Sequence, residues 1–426
     1  MRAHVRLFVW LLVTSPVLAQ TAAKPAAKPD PRAVHNSALI IDTHADTTQY
    51  FNDDFDITKG ALAEGRHLDL ELARRGNLGA QFFSIWVDPE APRSQGRFAL
   101  RTFEQIDSVY RQVARHPDRM MMAFSPADIQ RAHAGRKLAV LMGIEGGHSI
   151  ENNLALLRDY YRLGVRYMTI TWSNSTDWAD SSGDIDKAGV PHTKKGLTEF
   201  GEEVIREMNR LGMMVDISHV SDRTFYRTLV ISRAPVIASH SSARALTNHR
   251  RNMTDDMLRA VARNNGVVMV NFYSGFVDED YRREAAQLNA EANAAEEKLR
   301  AQLKDADAVT YYRAFNKLHR EFAARVPRPP LKSLIDHIDH VAKIAGIDHV
   351  GLGSDFDGIT SLPQGIDSVA DLPKITEALA ARGYTAEQLH KILGGNLMRV
   401  FRDVERVSHD MQAEEKADAA AAATKR

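Results

Sequence analysis

The sequence predicts an α/β chain folded as a (β/α)8 TIM-like barrel with a helical insertion between strands seven and eight. Two observations lead there. Eight short apolar runs, partly β-branched and without strict alternation, recur between residues 35 and 402, and stretches of helical spacing separate them. Such runs suit strands buried on both faces, as in a parallel sheet. Eight β/α units in one chain then favour a closed barrel over a doubly wound sheet.

The strands are expected at Ala38–His44, Leu78–Val87, Leu138–Gly146, Tyr167–Thr171, Met213–His219, Pro235–His240, Gly266–Phe272 and His349–Phe356. Among the helices, Thr198–Leu211 stops at Gly212, and Thr254–Arg263 opens on Thr254 with Asp255 and Asp256 in its first turn. A glycine after the last turn and acidic residues in the first are the usual end signals. Thr385 and Gln388 have capping-box spacing. Residues 278–325 are polar and rich in Ala, Glu, Lys and Arg, and are expected to be two solvated helices inserted after strand seven. A lid over the barrel mouth is the alternative reading.

Both ends of the chain fall outside this repeat. Arg2 and Arg6 precede an apolar run, Leu7–Val13, too short to span a bilayer, and Val17-Leu18-Ala19 ends in a small residue. Residues 1–19 therefore read as a signal peptide cut after Ala19, residues 20–34 as a disordered leader, 35–408 as one domain and 409–426 as a disordered tail. The 426 residues include no cysteine. That excludes disulfides, thiolate-bound metals, a cysteine nucleophile and lipoprotein attachment. An exported chain without cysteine fits a bacterial periplasm, with no stable membrane anchor. Charge balances at 55 basic against 55 acidic residues, which gives no basis for nucleic-acid binding.

Ionisable residues gather where a barrel places its chemistry. Strand one ends Asp42-Thr43-His44-Ala45-Asp46, with His44 and Asp46 two apart and so on one side of a strand. Strand three ends in Glu145, five in His219, six in His240, and eight runs into Asp355-Phe356-Asp357. The C-terminal ends of barrel strands converge on one mouth. Any single histidine there is more often a hydrogen-bonded loop residue. Three histidines with two carboxylates exceed what one catalytic zinc needs and suit two divalent ions sharing a carboxylate, for which Glu145 is the natural bridge. His116, His192, His249, His337, His340 and His390 read as surface or structural, and His148 has no evident partner.

These segments, with Gly143–Ser149, Asp216–Asp222, Ser239–Ala243, Arg250-Arg251-Asn252 and Gly351–Gly358, closely resemble the membrane (renal) dipeptidase family, the M19 metallopeptidases related to amidohydrolases. The likeness extends to Gly394-Gly395-Asn396-Leu397. It implies a homodimeric barrel with two Zn2+ that cleaves dipeptides, often with a D-residue on the C-terminal side, some members also opening β-lactams. His44 and Asp46 would bind one zinc, His219 and His240 the other, and Glu145 both. Mn2+ or Co2+ would also suit such ligands. Asp355 matches the family's proton-handling aspartate and Arg251 the residue that pairs with the substrate carboxylate; Asp357 and Arg250 read as structural and surface groups. One departure stands out. Strand four of the family ends Leu-Thr-His, the histidine serving the oxyanion, whereas here Trp172 occupies that place. Trp172 would then donate through its indole N–H or simply pack over the substrate, with Asn174 or His192 as substitutes, or turnover would be slow. Two rival readings are another two-metal amidohydrolase and a zinc-binding homologue with impaired catalysis. The first often bridges its metals through a lysine, and no lysine ends any of the eight strands.

Overall fold

Eight parallel strands run in order around a barrel in this computed structural model, which describes residues 30–424 apart from Asp53, 91–95 and Lys194. They are β1 (Ile40–Ala45), β2 (Leu78–Trp86), β3 (Leu138–Glu145), β4 (Val165–Thr169), β5 (Met214–Asp216), β6 (Ile237–Ala238), β7 (Val267–Val270) and β8 (Val350–Leu352). The register pairs Trp86 with Glu145, Glu145 with Thr169, and Thr169 with Asp216, so four strands end at one level. β8 meets β1 through a single bridge, Ala45 to Phe356, supported by Asp46 N–H to Phe356 O at 2.8 Å and Asp355 N–H to His44 O at 3.1 Å. A short strand, Met120–Met122, lies outside this order and pairs with β3.

Alternate strand residues fall into two apolar layers, as a period of two requires. Ile41, Phe82, Leu141, Tyr167, Met214 and Met269 form an inner cluster, joined by Leu397, Val400 and Phe401 of the last helix. Their neighbours, among them Ile40, Ile144, Met168 and Val268, join the outer cluster with the flanking helices. The helix ends follow the sequence signals. Thr198 accepts the Gly201 N–H, Gly212 takes φ 84°, Thr254 accepts the Met257 N–H, and the Thr385/Gln388 capping box forms. Among the described residues no helix is long and apolar enough to cross a membrane.

Three expectations change. The signal peptide and residues 20–29 lie outside the described residues, but the rest of the expected leader is ordered: Asp30 caps a helix, Pro31–Ser37, that buries Val34 and His35. The tail expected to be disordered continues the final helix, Asn396–Thr424, because Ala, Glu and Lys favour helix and Arg233 pairs with Glu414 at 2.7 Å. The insertion holds three helices, Glu279–Ala286, Asn289–Gln302 and Ala308–Ala323, and the third is no solvated excursion. It buries Tyr311, Tyr312 and Asn316, with Tyr312 donating to Asp357 O at 2.9 Å and Asn316 Nδ2 to Tyr50 Oη at 2.9 Å. Its aromatic face is satisfied by tertiary contact, which a reading of local polarity misses.

His337 illustrates a cost of this core. Its Nδ1 accepts the Ala243 N–H at 3.0 Å, which requires a neutral ring, and burial with nearby His340 pushes it down from 6.5 to about 4. A base depressed in the folded state keeps its full contribution above 6.5 and loses it as pH falls towards 4. Urea unfolding should therefore show stability falling across that window, by up to ~3 kcal/mol from this group. His337→Gln should flatten part of the slope.

Candidate metal centre

His44, Glu145, His219 and His240 project from the ends of β1, β3, β5 and β6 into one buried cluster. Glu145 Oε2 lies 3.4 Å from His44 Nε2, while Oε1 lies 2.9 Å from His219 Nε2 and 3.4 Å from His240 Nε2. Asp46 Oδ2 is 3.4 Å from His44 Nε2, and the Nε2 atoms of His219 and His240 are 2.9 Å apart. The ligand atoms of His44, Glu145 and His240 lie within 4.8 Å of one another, as do those of His44, Asp46 and Asp355. Buried lone pairs this close repel unless a cation or proton sits among them. His44 Nε2 and Asp46 Oδ1 are buried without a hydrogen-bond partner. The donor set of imidazole nitrogens and carboxylates fits divalent transition metals.

Hydrogen bonds behind the cluster fix which ring nitrogens face it. The Tyr167 hydroxyl donates to Thr43 O at 3.1 Å and so accepts from His44 Nδ1 at 2.8 Å, leaving Nε2 its lone pair. Ser239 Oγ donates to Asp216 Oδ2 at 2.5 Å and accepts from His240 Nδ1 at 2.7 Å, with the same result. Gly143 makes the first arrangement possible, because a Cβ there would stand 1.9 Å from the Tyr167 ring.

Asp355 and His219 hold left-handed backbone, φ 64° and 66°. Residues kept in that region cost energy and gather at functional sites. Asp355 Oδ2 accepts from Asn271 Nδ2 at 2.8 Å. Burial raises Asp355 to about 8, with His44 opposing and the charges of Asp46 and Glu145 adding to the rise. Gly358 leaves room for this carboxylate and for Asp46, since a Cβ there would lie 2.1 Å from Asp46 Oδ2. Arg251 is 8% exposed, yet among the described residues no carboxylate ion-pairs with it. Its Nη2 donates to His240 O at 3.0 Å and its Nη1 to Ser241 Oγ at 3.3 Å, while Nε is buried without a partner.

A family model described as membrane dipeptidase (peptidase family M19) matches residues 30–415. The chain belongs to that family. It is thus a metallo-dipeptidase, a hydrolase. Its fold is similar to the crystal structure of a probable dipeptidase, PvdM, from Pseudomonas aeruginosa, with a TM-score of 0.73, 24% identity, and 88% of this chain and 98% of that one covered. It also resembles a metallo peptidase of family M19 named dipeptidase AC, at 26% identity and a TM-score of 0.66 over 86% of this chain and 98% of that one. A metallo peptidase from Rhodobacter sphaeroides, solved with a phosphinate mimic of the dipeptide L-Ala-D-Ala, matches at 25% identity and a TM-score of 0.66, covering 86% and 99%.

The cluster opens into a cavity of about 680 Å³ that Asp46, Glu145, His219, Arg251, Asp355 and Trp172 all help to line. Neither Asn174 nor His192 lines it, so among the described residues no imidazole from the β4 loop replaces the one that Trp172 displaces. His148 stays outside as well: its Nε2 bonds Val87 O at 2.8 Å, and burial pushes it down to about 4. His249, read from sequence as surface or structural, does reach the cavity, as do Trp86, Tyr273 and, from the insertion, Tyr312 and Phe315. Asn271, the residue just after β7, is missed by the sequence reading, although a polar residue closing an apolar run is the signal that marks the histidines. Tyr167→Phe removes the acceptor for His44 Nδ1 and, with the same hydroxyl, the bond to Thr43 O. Loss of such a partner typically weakens metal binding about 10- to 100-fold, and competition against a chromogenic chelator should show that drop with the far-UV spectrum unchanged.

Proposed function

We propose that this enzyme works with two divalent ions, zinc by family resemblance, and hydrolyses the single peptide bond of free dipeptides. The observation that carries the reading is Glu145, whose two oxygens face different histidines. His44 and Asp46 would hold one ion, His219 and His240 the other, and Glu145 both. When bound, such a pair lowers the pKa of a shared water and polarises the scissile carbonyl. Asp355, near 8 in its buried setting, lies in the range where a group both takes and returns a proton at neutral pH. It would accept the proton of the attacking water and deliver it to the leaving amine.

Arg251 would clamp the substrate's carboxylate. Burial lowers it to about 10 against the pull of Asp355 and Glu145, so it is cationic at neutral pH, and its Nε lacks a partner. A guanidinium fork matches a carboxylate, and a free carboxylate one residue from the scissile bond restricts substrates to dipeptides. A D-residue on that side belongs to the same reading and is supported by the L-Ala-D-Ala mimic in the Rhodobacter sphaeroides relative. Trp172 would contact the substrate without the cationic form a histidine offers. Export with cleavage after Ala19 and assembly as a homodimer complete the proposal; the first rests on residues 1–19 as sequence, the second on the family resemblance.

Trp172 also favours a second reading, a metal-loaded homologue with little turnover. Dipeptide hydrolysis beside metal analysis separates the two. Close to two metals per chain and cleavage of L-L and L-D dipeptides are expected. Asp355→Asn should lower kcat about 10²- to 10⁴-fold, and C-terminal amides should lose at least about tenfold in kcat/KM. Two bound metals with no cleavage of any member would leave the second reading standing.

A further inference from the structure

Arg251 stands in the cavity beside Phe276, whose ring centroid lies 5.4 Å from its guanidinium, and a larger group of aromatic rings lines the same cavity elsewhere. Arg251 follows β6, and Trp86 ends β2, four strands away and therefore across the mouth of an eight-stranded barrel. Trp172 stands beside Trp86, with ring centroids 4.8 Å apart, and Tyr312 lies 6.1 Å from Trp86. Phe315 continues the row, 6.5 Å from Tyr312 at an interplanar angle of 23°. All four rings line the same cavity as Arg251 and Asp355. Trp172 and Phe315 are only partly buried, so part of their surface faces open space.

Two of these rings come from the insertion, which is fixed in place at several points. Tyr312 is tied to Asp357 O, and Asn316 to Tyr50. Behind them Glu296 pairs with Arg300 at 2.8 Å and with His319 at 3.1 Å, and Arg300 reaches Asp88 at 3.8 Å in the loop after β2. The wall is thus held against the barrel before any substrate arrives. Rings preset in this way bury an apolar side chain at little cost in ordering.

We propose that Trp86, Trp172, Tyr312 and Phe315 form the subsite for the side chain on the N-terminal side of the scissile bond, and that the enzyme prefers dipeptides headed by a large apolar or aromatic residue. This rests on the dipeptidase reading and extends it. With its carboxylate on Arg251 and its scissile bond over the His/Glu cluster, a dipeptide directs its first residue towards the far side of the mouth. A cavity of about 680 Å³ is far larger than two small residues fill, and a glycine or alanine there leaves the rings uncovered.

The test is kcat/KM for a series X-Ala and X-D-Ala, with X as Gly, Ala, Leu, Phe and Trp, on the full mature protein with its metal content measured. Phe- and Trp-headed members should exceed the Gly-headed one by at least about tenfold, the size expected for filling an apolar pocket. Phe315→Ala should lower the Phe/Gly ratio several-fold, and Phe315→Leu, which keeps apolar contact, should restore most of it. Equal kcat/KM for Gly- and Phe-headed members overturns the inference and leaves the dipeptidase reading intact. An unchanged Phe/Gly ratio in a folded, metal-loaded Phe315→Ala protein does the same. Cleavage of no member overturns the dipeptidase reading and this inference with it.

Discussion

Asp42 on β1 and Asp216 on β5 each accept the backbone N–H and the hydroxyl of a serine just beyond the end of the adjoining strand. Asp42 takes both from Ser354, at 2.8 and 2.6 Å, and Asp216 both from Ser239, at 2.8 and 2.5 Å. In each case the next residue along the chain belongs to the site: Asp355 after Ser354, His240 after Ser239. These are also joints where the strand ladder is thin, a single bridge between β8 and β1 and one paired position between β5 and β6. Two buried carboxylates supply there the hydrogen bonds that longer strands would have supplied. Burial still leaves its mark, raising Asp42 to about 6 despite the bonds from Ser354. If either joint opened, Glu145 would keep its place on β3 while the groups facing it moved away.

That constraint explains which parts of the site the sequence discloses. His44, Asp46, Glu145, His219, His240 and Asp355 are polar residues at the ends of apolar runs, and nothing in a barrel's core calls for them there. Their positions could be read one by one, and the barrel followed from the same eight runs. Tyr167 could not be read in this way. An aromatic residue inside a strand looks like packing, and only the gap at Gly143 and the proximity of His44 reveal its hydroxyl as a partner. The insertion was misjudged for a related reason: Ala308–Ala323 alternates charges with aromatics, and which face is covered depends on Tyr50 and Asp357, far away in sequence.

The centre also shows how a protein holds repelling groups together. Two of the three imidazoles at the mouth are backed by a bond on the far side of the ring, from Tyr167 for His44 and Ser239 for His240. The cost of crowding is spread through strand ends that are fully buried on both faces. Positive φ at His219 and Asp355 is part of the same cost, since turning the backbone back at those points is what aims the side chains inward.

Tyr312 and Asn316 both donate to the Asp357 carbonyl, two residues beyond Asp355. The groups clustered at the strand ends and the wall that faces them are therefore encoded on separate stretches of chain, which meet at this carbonyl oxygen, at Tyr50 and at Asp88. Strand ends are intolerant of insertion, because register fixes them, whereas a long connection between two strands tolerates changes of length and composition. A lineage carrying this fold could exchange the 278–325 segment, alter what the mouth admits, and leave every strand-end histidine and carboxylate where it was. The attachment at Asp357 asks of a replacement only a donor to a main-chain oxygen, whereas those at Tyr50 and Asp88 ask for matching side chains.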